Sequence, residues 1–147
     1  MKDKLNEVSK RLKDLHRRFL EQERVDAEKY YQRRIMPFDF LQMLTNDRNF
    51  RWLQPFSALI ADIDAMVDEK EALTDADLDG VRMQIDAVLH KADGHSAIYG
   101  RYQHHLGEDP EFLLLHLKLR EALSQIENKE TKKDKEREHF NGSGTPL

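Results

Sequence analysis

Cysteine is absent from the 147-residue chain, which removes disulfides and thiolate metal ligands at once. Glycine (6) and proline (4) are scarce, and tryptophan occurs once. So few breakers leave long stretches free to continue as helix. No glycine-rich phosphate loop is present. No run approaches the ~18 apolar residues of a membrane-spanning helix. The first residues are charged from Lys2 onward and hold no apolar leader core. A soluble, cytoplasmic protein without a membrane partner is the expectation. Positive charge is not in excess either. Twenty-four Lys and Arg stand against 28 Asp and Glu, for a net charge of −4, and the pI is near 6.0. That field argues against nucleic acid as a partner.

Charge and helical periodicity fill the space these absences leave. Charged residues make up 35% and apolar ones 39%, the balance of helices with solvated outer faces. The length suggests one domain, able to bury about 68–70% of the surface its unfolded chain exposes.

Residues 2–34 contain no Gly or Pro. At ~100° per residue, Leu5, Val8, Leu12, Leu15, Phe19, Leu20, Ala27 and Tyr30 share one face, and His16 and Glu23 project onto it. Arg17-Arg18 and Arg33-Arg34 read as solvated helix surface. Pro37 breaks the pattern, and residues 38–45 suggest a short helix. Then comes the stretch the chain is expected to be organised around, residues 50–67. There Trp52, Phe56, Leu59, Ile63, Met66 and Val67 make one broad apolar stripe. Trp52 is expected in the core. Thr74 is placed as an N-cap with Asp75 and Asp77 in the first turn, ahead of a stripe of Leu78, Val81, Ile85, Val88, Leu89 and Ala92. Gly94 suits a stop. Residues 97–106 suggest another short helix. Asp109-Pro110-Glu111 then starts the last one, whose stripe is Phe112, Leu115, Leu119, Ala122, Leu123 and Ile126.

Four apolar-striped helices with short connections predict an all-α fold. The simplest form is an antiparallel four-helix bundle, up-down-up-down, over residues 1–128, with one or two extra short helices. Residues 129–147 carry a charged run and small residues without an apolar stripe, and are expected to be a disordered tail.

Several segments look familiar. Leu15-His16, Leu20 and Glu23-Arg24, then Phe40-Leu41-Gln42-Met43-Leu44, then Trp52-Leu53-Gln54-Pro55 and Ile63-Asp64 resemble a family of small, uncharacterised bacterial all-helical proteins. Its pattern is roughly LHxxLLxxER followed by WLxPLSxLIxxID. Phe56 stands where Leu is usual and Gln54 where a basic residue is usual. The resemblance covers about residues 12 to 70. It implies a bacterial, cytoplasmic helical protein and supplies no catalytic residue.

Three constellations carry potential chemistry. Asp75, Asp77, Asp79 and Gly80, with Asp86 in the twelfth place, match a calcium-loop spacing. Against it, Asp86 is too short for the usual bidentate Glu, Arg82 adds positive charge, and the core stripe needs the segment as helix. Glu23, His16 and His116 are polar residues on apolar faces. Glu23 and His116 are the candidate ligands of a metal or small-molecule site inside a bundle, and so of a possible enzyme. Neither His16 nor His116 has the Glu three residues earlier that di-metal bundles use; Lys13 and Leu113 stand there. A buried Glu–Arg or Glu–His hydrogen bond is the alternative for Glu23. His104 and His105, being adjacent, are expected to diverge on a helix.

Finally, Leu113, Leu114 and Leu117 project away from the last helix's stripe. They are the candidate interface, unless residues 38–44 and 97–106 cover them. The expectation is a helical protein that acts by binding a protein partner or as a homodimer, with no catalytic residue and no cofactor.

Overall fold

The computed structural model describes residues 1–126. Six α-helices account for most of them, and no strand occurs among the described residues. The tail expected from residue 129 onward lies outside this range.

Helix α1 is Lys2–Tyr31. It stops three residues before the break expected near Arg34, because Gln32 turns left-handed at φ 54°. The reversal is held from within the helix. Arg24 Nη1 donates to the Ile35 carbonyl at 2.8 Å, and the Ile35 amide donates to Glu28 Oε2 at 2.8 Å. Helix α2, Pro37–Asn46, follows with its proline in the first turn.

A 3-10 turn, Arg48–Leu53, leads into helix α3, Gln54–Glu69. Pro55 sits in the first turn of α3, where its missing N–H breaks no helical bond. Helix α4 is Asp75–Ile85, opened by a full capping box: Thr74 accepts from the Asp77 amide, and Asp77 accepts from the Thr74 amide. The segment is therefore helix, and the calcium-loop spacing is not a loop. One carboxylate that such a loop would need, Asp77, is also engaged by Lys70 at 2.7 Å.

Helix α4 widens into a π-helical turn, Asp86–His90. Gly94 is required just beyond it, since a Cβ there would stand 2.7 Å from the Ala87 carbonyl oxygen. Helix α5 is Ser96–Glu108 and α6 is Pro110–Ser124. Asp109 caps α6 by accepting from the Glu111 amide.

The organising element is α1 rather than the stretch 50–67. Helix α1 packs against α3, α5 and α6. Its Leu5, Val8, Leu12, Leu15 and Phe19 are all fully buried. Phe56, early in α3, meets His16 and Phe19, whereas Asp64, later in α3, accepts from Ser9 Oγ at 2.6 Å and pairs with Lys13 at 2.8 Å. On the other side, Arg18 grips Asp109 with two hydrogen bonds of 2.7 and 3.0 Å and also meets Glu111. The start of α6 is thus pinned to the middle of α1, and Arg18 is not the plain solvated residue expected.

Phe19 is the centre of the core. Its ring meets those of Trp52, Phe56, Tyr102, His105 and Phe112 at centroid distances of 5.1 to 6.4 Å. Trp52 does not reach full burial. It lies in the 3-10 turn ahead of α3 and touches the core from its rim, half-buried.

Candidate functional site

Of the three polar residues expected on apolar faces, Glu23 and His116 belong to two separate clusters. In the first, Glu23 of α1 is buried, with 6% of its surface exposed. Arg101 of α5 embraces it with two hydrogen bonds, Nε to Oε1 at 2.8 Å and Nη2 to Oε2 at 3.1 Å. The same Nη2 donates to Asp26 Oδ2. His105, only 2% exposed, places Nε2 3.6 Å from Glu23 Oε1, beyond hydrogen-bond reach. Burial works to raise the Glu23 pKa, but neighbouring His105 and the Arg101 guanidinium together outweigh it, and the net shift is downward. Glu23 is therefore a paired anion at neutral pH.

In the second cluster, the Tyr102 hydroxyl of α5 and Nδ1 of His116 on α6 share a hydrogen bond of 2.6 Å, whose donor is set by the imidazole tautomer. Burial lowers the His116 pKa to about 4, with help from nearby His90 and Arg120, so the imidazole is neutral at pH 7. Burial likewise raises the Tyr102 pKa, so the phenol keeps its proton. The π-helical turn brings His90 to this group. Its ring lies 5.2 Å from Tyr102 and 5.6 Å from His116, and its Nδ1 is held by Asp86 at 3.0 Å. A small cleft of about 120 Å³ opens beside the turn, lined by Arg82, Asp86, Arg120, Leu123 and Ser124.

Glu23 and His116 are thus not brought together. Glu23 pairs with Arg101 and lies beside His105, whereas His116 bonds Tyr102 and lies beside His90. Glu23 found the Glu–Arg partnership expected as its alternative, and His116 found a tyrosine. Arg101, Asp26 and Tyr102 were missed in the sequence. An inward carboxylate on α1 demands a cation, but nothing in the local pattern says that residue 101 supplies it.

His16 forms neither cluster. It packs edge-on against Phe56 at 4.7 Å, and burial lowers its pKa to about 4. It also lines an apolar groove of about 300 Å³ between α1, α2 and α3, with Leu20, Leu41, Leu44, Phe50 and Leu53.

The leucines of α6 lie on the surface. Leu113, Leu114 and Leu117 are 41%, 52% and 54% exposed. The short helices do not cover them. Helix α2 turns its one buried residue, Phe40, onto Phe50 of the 3-10 turn at 5.4 Å. Helix α5 meets the opposite face of α6 through Tyr102, His105, Phe112 and His116.

Among the described residues, no helix is long and apolar enough to cross a membrane. No protein-family model, curated protein or solved structure matches the chain.

Proposed function

We propose that this chain is a cytoplasmic helical-bundle protein that works by association rather than catalysis, through the leucine flank of α6, and that it pairs with a second copy of itself. One observation carries the reading: Leu113, Leu114 and Leu117 remain exposed on a helix whose other face is fully packed. Contiguous apolar surface left bare on a soluble protein is a common mark of an interface, and a two-fold dimer is the commonest way to close one.

The scaffold in this reading is an antiparallel four-helix bundle, with α1, α3, α4 and α6 running up, down, up and down and α2 and α5 as additions. The order of contacts supports it: α1 residues 16 and 19 meet the start of α3, and α1 residue 9 meets a later turn of α3. The resemblance over residues 12–70 to small bacterial helical proteins fits the same picture and adds no activity.

Light scattering tests the reading. The expected result is a wild-type dimer and a folded Leu114→Glu monomer. A wild-type monomer at high concentration would overturn self-association and turn attention to a different protein partner.

A further inference from the structure

We propose that Asp26, His104 and His105 bind one divalent transition cation of the zinc class at the junction of α1 and α5, with the Glu23 carboxylate beside it. A carboxylate oxygen of Asp26 and one ring nitrogen from each histidine lie within 4.8 Å of one another. Neighbouring helical residues normally diverge by ~100°, yet the rings of His104 and His105 stand only 5.4 Å apart, edge to face. The pair therefore leans toward a common point, contrary to the divergence expected from sequence.

A second observation is independent of that spacing. His105 is almost completely enclosed, and its buried Nε2 has no hydrogen-bond partner. Leaving such an atom unsatisfied costs about 1–3 kcal/mol. Glu23 Oε1 stands 3.6 Å from it, so the imidazole already faces an anion without bonding it. A cation in this region would satisfy both.

The charge count points the same way. Glu23 and Asp26 are two carboxylates answered by the single guanidinium of Arg101. Arg101 is 34% exposed, so its head can swing to water and leave the oxygens to a dication. Two imidazoles and a carboxylate are nitrogen-rich ligands suited to zinc and its neighbours, whereas calcium and magnesium take oxygen. Ligand atoms around tetrahedral zinc, at ~2.0–2.1 Å from the metal, stand ~3.4 Å apart. The cluster thus needs a contraction of roughly an ångström, within reach of side-chain rotation at the exposed His104 and half-buried Asp26. Such a site would tie α5 to α1 in place of Arg101.

The test uses the full chain freed of metal with a chelator, titrated with zinc chloride by calorimetry and followed by its melting temperature. Cobalt(II) absorption reads the coordination geometry. The expected result is one zinc per chain, a raised melting temperature, and a cobalt spectrum of tetrahedral type. Asp26→Asn and His104→Ala should each weaken binding at least about tenfold, since even losing a ligand's outer partner costs that much. Both positions lie outside the buried core, so the variants should fold. Absence of saturable binding up to about 100 µM zinc would overturn the proposal. So would binding that both variants leave intact.

Discussion

Phe112 and Leu113 are chain neighbours with opposite surroundings. Phe112 is fully buried among Phe19, Tyr102 and His105, while Leu113 is 41% exposed and continues into Leu114 and Leu117. Both are large and apolar, so hydrophobicity does not separate them. Packing does. The ring side of α6 is met by α1 and α5, and nothing in the described chain meets the leucine side. The ring side therefore carries stability, and the leucine side is free to carry association. Four perturbations separate these roles.

The largest effect should come from Phe19→Ala. Five rings lose a common neighbour, and the site is too well enclosed to collapse fully, so the loss should be about 3–5 kcal/mol. Chemical denaturation measures it. A loss under about 1 kcal/mol would mean that the ring cluster is not the centre of stability.

The ring side should also respond to acid. His16 and His116 have pKa values near 4 when folded, against 6.5 as their ordinary value. Between those values the unfolded chain binds more protons, so stability is complete above pH 6.5 and is lost as pH falls toward 4. Allowing for the solvent exposure of His116, moving from pH 7 to pH 5 should cost on the order of 2 kcal/mol. Equal denaturation midpoints at the two pH values would contradict neutral histidines in the core. The three leucines themselves do not titrate, so the proposed association through them should not follow this curve.

Trp52→Ala should be milder, about 1–2 kcal/mol, because the indole is only half-buried at the rim. Its emission in the native protein should lie between those of enclosed and free indole. A fully blue-shifted maximum would place it inside the ring cluster after all.

Leu114→Glu should change the stability of the isolated chain least, by under about 0.5 kcal/mol, as expected of an exposed helix position. Its main effect should appear in mass. At dilutions where the wild type is monomeric, a large loss of stability would show that some part of this chain covers the leucines.

Much of the architecture was readable from residue order. Thr74 with Asp77, Asp109 with Pro110, and Pro37 mark helix starts by chemistry confined to a turn or two, and the helices begin there. The apolar stripe of α1 was equally plain, since Leu5, Val8, Leu12, Leu15 and Phe19 repeat with the helical period and are all buried. Glu23 stood out as a charge on that stripe, and a salt-bridged partner was a sound expectation for it.

The partners themselves could not be read this way. Arg101 lies 78 residues from Glu23, and Arg18 lies 91 from Asp109. No local pattern encodes such pairs, because many charges of each sign are available and only the register of packed helices selects among them. The same reasoning accounts for Trp52. A periodicity window assigned it to a helix stripe, but the chain enters α3 through a 3-10 turn that rotates the indole toward the rim. Likewise, the π-helical turn before Lys91 carries His90 toward Tyr102 and His116, a displacement that no 3.6-residue period anticipates. Caps and stripes act over about four residues and so are written in order along the chain. Which helix becomes the hub, which carboxylate meets which arginine and which leucines stay bare depend on how whole faces fit together, and that is settled only when the helices pack.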